Sequence, residues 1–451
     1  MSLLTNWLMG HDEVTLTTKQ RSTHTYVVGQ SGTGKSRAVE SWVMQDILAG
    51  HGVGVIDPHG DLYNHLVARI AKHPELWQKV ILLNPVDPDW VVGFNPLATI
   101  DQISAERLAM HMTDVSAKVW HLDSTKAPRM VWLLTNTFLA LVALNLTLLD
   151  MPRFLIDRGF REGLINRIPL PSVRQYFESE FPENDKGAHQ WIAPVLNKMG
   201  GLMFDPDIRL IFAGQSSMDF RKIMDDQMIL LVNLSKGIIG EGMSALLAAF
   251  IVAHIQKTAL ARANSNHRPP FYFYLDEFQN YTTDNIIDIL SESRKYALSL
   301  TLAHQFLDQL PGKLQSAVLN TSGTIASFRV GYHDARILSK EIFPAPDFIQ
   351  KFAFKPTYRF PRLDDIGWDG LARELASLQQ RQFWYRRRGQ FQPIKQHTFY
   401  MPDPKYTPGL KQQIKALRDF SGQRFGRPKH TVQQQAPKSM NKTNNIPLWT
   451  E

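Results

Sequence analysis

Tyr26-Val27-Val28-Gly29-Gln30-Ser31-Gly32-Thr33-Gly34-Lys35-Ser36 is the stretch on which the reading of this chain turns. Residues 29–36 follow G-x-x-x-x-G-K-[ST], a phosphate-binding loop. Glycines let the backbone wrap closely around an anion, and successive N–H groups then point inward. In such a loop Lys35 reaches the β- and γ-phosphates of ATP, and the Ser36 hydroxyl holds Mg2+. The helix that begins here turns the positive end of its dipole toward the anion. By chance the pattern arises in roughly one chain of this length in fifty, as a Gly-rich turn beside a surface lysine. The flanks argue against that origin. Residues 25–28 read as a short buried strand, and 37–48 carry Val39, Val43 and Ile47 at helical spacing.

The sequence has 451 residues, 43% of them hydrophobic, and no cysteine. That length suits one large α/β domain with an insertion, or two to three domains. Disulfides and thiolate metal sites are excluded, and a cytoplasmic setting is expected. The N-terminus lacks the pattern of a signal peptide. The histidines are scattered, without a metal-binding spacing. Net charge is +8, of which residues 411–451 hold +6, from eight Lys/Arg against Asp419 and Glu451; the remainder carries about +2. A basic end on a near-neutral body suits nucleic acid or an anionic membrane surface, and equally a solvated, disordered end.

Apolar runs at 52–56 and 80–84 read as strands. The first ends in Asp57-Pro58-His59-Gly60-Asp61, placed where ligands bind at the C-terminal ends of parallel strands. From about 103 to 216 strand signals vanish, and helices are expected over 103–120, 128–149, 152–167, 170–181 and 187–204. Residues 130–151 approach the apolarity of a membrane span. Thr135, Asn136, Thr137 and Asn145 interrupt them, which favours a buried core helix. Strands resume at 228–234, 270–275, 298–303 and 324–330, and runs flanking Gly389 suggest a β-hairpin over 382–399. Beyond 403 the composition turns polar, and disorder is expected from about 425.

Asp276-Glu277 ends the apolar run 270–275, which is the Walker B arrangement. Asp276 then binds Mg2+ through water and Glu277 polarises the attacking water, whereas two acids at a strand end are otherwise a solvated turn. Gln305 ends the next strand, where it is either a loop glutamine or an amide that senses or orients a γ-phosphate. Arg294 is either a surface arginine or a finger for a neighbouring subunit's phosphate. The loop at Ser235-Lys236-Gly237 carries either a surface lysine or a candidate DNA contact. The run 381–388, basic and aromatic, either stacks bases or packs its rings inward on a hairpin.

These segments, with Phe94-Asn95-Pro96-Leu97 and Ser293-Arg294-Lys295-Tyr296-Ala297, resemble the HerA/FtsK superfamily of ATPases, over about residues 20–345. Within it the chain looks like the coupling proteins of conjugative type IV secretion. The resemblance implies a RecA-like P-loop NTPase sheet flanked by helices, with an all-α insertion domain and a polar, basic C-terminal tail. Its expected divisions are 1–102, 103–216, 217–402 and 403–451. It further implies a hexameric ring around DNA with ATP at subunit interfaces, Lys35, Glu277, Gln305 and Arg294 as catalytic groups, and Ser36 and Asp276 at the metal. Coupling proteins usually begin with transmembrane helices, and no such segment is expected here; a membrane-anchored or secretion-system partner, or peripheral attachment, would supply the anchor. Competing readings are an ATPase driving secretion-apparatus assembly or protein export, and a nucleotide-gated scaffold in a defence complex.

Overall fold

A computed structural model describes residues 21–100, 103–122, 125–182, 185–213, 216–281, 285–343, 365–388 and 393–435. Eleven strands are present among them: β1 (Thr25–Val28), β2 (Gly52–Asp57), β3 (Val80–Leu83), β4 (Trp90–Val91), β5 (Ile229–Asn233), β6 (Phe271–Leu275), β7 (Leu298–His304), β8 (Thr324–Ser327), β9 (Gln382–Arg387), β10 (Ile394–His397) and β11 (Arg427–Pro428). Nine form one sheet in the order β10-β9-β8-β1-β7-β6-β2-β5-β3. From β8 to β3 every neighbouring pair is parallel, while β9 and β10 close the sheet as an antiparallel hairpin. The hairpin expected around Gly389 is thus present; Gly389 itself lies outside the described residues.

Strands covered on both faces read as continuous apolar runs, because successive residues alternate between two cores. In β6, Phe271, Phe273 and Leu275 point into one core and Tyr272 and Tyr274 into the other. The second core is roofed by the helix Lys35–Leu48, with Val39, Val43 and Ile47 buried, and by the helix Asp61–Ile70. The first core runs into a region of helices between β4 and β5. Its longest members are Ala105–Val119, Pro128–Ala143 and Asp185–Phe204, and the helix Glu241–Ala261 packs between them and the sheet.

The apolar stretch at 130–151 does not form one span. Its helix ends at Ala143 after 16 residues, short of the length a bilayer needs. Thr135, Asn136 and Thr137 donate to carbonyls four residues back, so this polar trio is satisfied inside the helix. Among the described residues one segment, Glu241–Asn264, is long and apolar enough to cross a membrane, and 83% of its apolar window is buried in the protein. The stretch expected at 152–167 is two helices, Met151–Ile156 and Arg158–Ile165, broken at Asp157, which caps the second through the Phe160 N–H.

The disorder expected from about 425 is corrected for residues 427–435, which are ordered. Residues 408–425 form an 18-residue helix, β11 pairs with β4, and Lys429–Gln435 is helical again. The docking is specific. Arg418 donates twice to Asp87 at 2.9 Å, Trp90 Nε1 donates to Asp419 at 3.0 Å, and Lys429 pairs with Asp207 at 2.7 Å. Ser421 bridges Val80 and Leu82 of β3. Several charges that make this end basic are therefore spent on neighbouring acids. Residues 436–451 lie outside the description.

Candidate nucleotide site

In a parallel sheet all C-terminal strand ends lie on one edge. Here that edge gathers the loop after β1, the Asp57 end of β2, Asp276-Glu277 after β6 and Gln305 after β7. Register makes this concrete: Val28 lies opposite His304, and Ile56 opposite Leu275. The loop itself depends on two glycines. Gly29 lies so close to β8 that a Cβ would sit 2.5 Å from the Phe328 Cβ. Gly34 begins the helix at φ +105°, a conformation side chains rarely adopt. Thr33 closes the turn by donating to the Gln30 carbonyl at 2.7 Å. Gln30, Ser31, Gly32 and Ser36 are exposed, while Lys35 is buried.

Lys35 Nζ donates to Glu277 Oε1 at 2.9 Å, with both side chains almost fully buried. The same carboxylate accepts from Gln279 at 2.7 Å and from Gln305 at 3.3 Å. Burial alone would push the Glu277 carboxyl up; the charge of Lys35 and these donors outweigh it and hold the group below its usual range. Glu277 reaches this position in the left-handed region, at φ +47°, which is uncommon for a non-glycine residue. Asp276 beside it is pushed up to about 7 by burial, with Asp57 and Glu277 adding and Lys35 opposing. Its Oδ1 has no hydrogen-bond partner. A buried carboxylate oxygen left unpaired, on the edge that carries the Ser36 hydroxyl, fits a divalent cation.

Asp57 is buried and accepts from the His59 and Tyr63 N–H groups, capping the helix that follows. His304 is also buried and shares a hydrogen with the Tyr26 hydroxyl at 2.5 Å; burial, with Lys35 adding, pulls it down to about 3, so it stays neutral.

The structure thus brings Lys35, Glu277 and Gln305 into contact and sets Asp276 beside them. It does not bring Arg294 there. That residue stands in the turn Ser293–Tyr296 before β7, whose far end carries Gln305. Seven strand residues place it roughly 20 Å away, at the opposite edge of the sheet. Lys236 lies in a short helix, Lys236–Ile239, on the nucleotide edge beyond β5, half-buried. In the run 381–388, Phe383 and Tyr385 are buried in the second core, and Trp384 Nε1 donates to Glu374, so the rings serve packing. Sequence reading missed Gln279, whose only signal is its place two residues after Glu277. Among the described residues no cluster of three His, Asp or Glu is arranged for a metal.

Comparison of the sequence with protein-family models and with curated proteins finds no match. Solved structures do match. The plasmid coupling protein TrwB with ADP and Mg2+ superposes at TM-score 0.62 with 15% identity, over 90% of this chain and 94% of that one. TrwB with a non-hydrolysable GTP analogue gives 0.61 at the same identity and coverage. VirB4 of Thermoanaerobacter pseudethanolicus gives 0.55 with 13% identity, over 84% and 90%. The chain has the RecA-like P-loop fold that TrwB and VirB4 share, the architecture its motifs imply.

Proposed function

We propose that this chain is an Mg-ATP-hydrolysing motor of the coupling-protein kind, which works as a ring and moves DNA. The observation that carries the reading is the contact of buried Lys35 and Glu277 with the half-buried Gln305, beside an exposed phosphate-binding loop. TrwB, whose fold the chain shares, has been solved with ADP and Mg2+, which supports the same ligands here.

In this reading the loop N–H groups and Lys35 bind the triphosphate. Ser36 and Asp276 hold Mg2+, which supplies positive charge to the phosphate oxygens. Glu277, kept ionised by its donors, orients water for in-line attack on the γ-phosphorus and accepts a proton from it; the bond to the β-phosphate oxygen breaks, giving ADP and phosphate. Gln305 links the γ-phosphate to β7. Arg294, at the opposite edge of its own sheet, serves only a neighbouring subunit's nucleotide, which motivates the ring. Sequence-independent contacts to the DNA backbone, Lys236 among them, are expected to weaken with salt.

The test is the ATPase rate of the purified chain at low salt, with and without single- and double-stranded DNA. Stimulation by DNA is the expected result. A rate indifferent to both, but raised by a secreted polypeptide, moves the chain to the protein-export reading. Particle images with ATP and DNA report the ring.

A further inference from the structure

The catalytic carboxylates lie on one side of the phosphate-binding loop, toward β7 and β6. A nucleotide with its γ-phosphate there must extend its nucleoside the other way, toward β8 and β9. That side is built from the turn before β9 and the strap that follows β10.

The turn grips the loop from outside. Gln380 Nε2 donates to the Gly32 carbonyl at 3.1 Å, and the Arg381 N–H donates to the Thr33 carbonyl at 2.7 Å. These two bonds tie the turn to the backbone of the phosphate loop. Arg381 lies so close to Gly34 that a Cβ there would meet its Cα at 3.1 Å. The strap is tied to the same place. The Thr398 N–H donates to the Arg381 carbonyl at 2.8 Å; Arg69 donates to the Pro402 carbonyl at 2.9 Å; and Asp403 pairs with Arg37, two residues past Lys35.

Between these ties stands Tyr400. The residue is 67% exposed, and its ring is backed by the Arg381 guanidinium at 4.8 Å from the ring centre. An aromatic ring held on one side by Arg381, which itself packs against Gly34 at the start of the loop's helix, has a free surface of the kind on which bases stack. We propose that Tyr400, positioned by Arg381, is the base-stacking residue for the nucleotide, contributed by the same chain that supplies the phosphate loop. The ligand class is a purine nucleoside triphosphate, and the proposal rests on the nucleotide reading above.

The test measures binding of Mg-ATP and of inorganic tripolyphosphate, which has no base, to the full chain. Tyr400→Ala should weaken ATP about tenfold or more, the size of a lost stacking contact, and leave tripolyphosphate unchanged. Tyr400→Phe, which keeps the ring, should bind ATP like the wild type. Lys35→Ala should weaken both ligands. The proposal falls if Tyr400→Ala binds ATP like the wild type, if tripolyphosphate weakens in parallel, or if the Phe variant fails as the Ala variant does. If the wild type binds neither ligand, the nucleotide reading itself has failed, and this one with it.

Discussion

Glu277 and Asp276 are adjacent carboxylates with opposite electrostatics. Glu277 faces Lys35 and two amide donors, whereas Asp276 keeps an unpaired oxygen. Two predictions follow from that difference. Glu277→Gln keeps the shape but removes the base and turns one accepting oxygen into an NH2 donor. It should bind ATP and lose turnover by about 10²–10⁴-fold, read from steady-state hydrolysis beside a binding titration; unchanged turnover would move the base elsewhere. The second concerns stability. The folded pKa of Asp276, about 7, lies above its ordinary 3.8, so its contribution is most favourable below pH 4 and is lost as pH rises through 7. Asp276→Asn should therefore melt a few degrees higher than the wild type at pH 8, without nucleotide, and that gain should be clearly smaller at pH 5. A gain that is the same at both pH values would show that ionisation is not its source.

The helix Pro408–Phe425 shows how an element with a polar sequence is fixed by a few contacts. It covers β3, and Gly422 sits against the Trp90 indole so closely that any Cβ would overlap the ring. Gly422→Ala should destabilise by about 1–3 kcal/mol, the usual cost of overpacking. Adding Trp90→Ala should recover part of it, which thermal melts of the single and double variants would detect as non-additivity. Equal losses in both backgrounds would mean that Trp90 is not what the new methyl meets. The same docking alters how the basic end must be tested. Deleting 411–451 would strip a cover from the sheet, so charge reversals at exposed positions are the cleaner probe of DNA contact.

Across the described residues, three histidines are held neutral by burial. His304 and His111 are pulled down to about 3 and His254 to about 4, the last while bonded to the Pro96 carbonyl. Each is depressed below its ordinary 6.5, so the stability it brings is complete above that value and falls as pH drops toward 3–4. The three join the sheet edge and the helical region. Acid should therefore unfold the protein in one steep transition below about pH 5, followed by circular dichroism. If a variant with all three replaced by Gln unfolds at the same pH as the wild type, carboxylates and not histidines set the transition.

How much of this was legible beforehand differs from part to part. Residues 29–36, 276–277 and 305 stood out because phosphate and metal chemistry restrict residue type at fixed spacing after a strand, and local pattern carries that information. The parallel sheet and the helical region between β4 and β5 could be read from apolar periodicity for the same reason. The end of the chain could not. Its helix is polar on most of its surface, and what orders it is Asp87, Trp90 and Asp207, more than two hundred residues earlier. Nor could sequence place Gln380, Arg381 and Tyr400 against the phosphate loop, since their bonds to Gly32, Thr33 and one another exist only once β9 has paired with β8 and β8 with β1. By itself the sequence determined which chemical groups this protein owns and the kind of strand end that presents them. Tertiary structure alone decided where they stand: Lys35 meets Glu277 across 242 residues, while strand direction puts the turn that carries Arg294 at the other edge of the sheet.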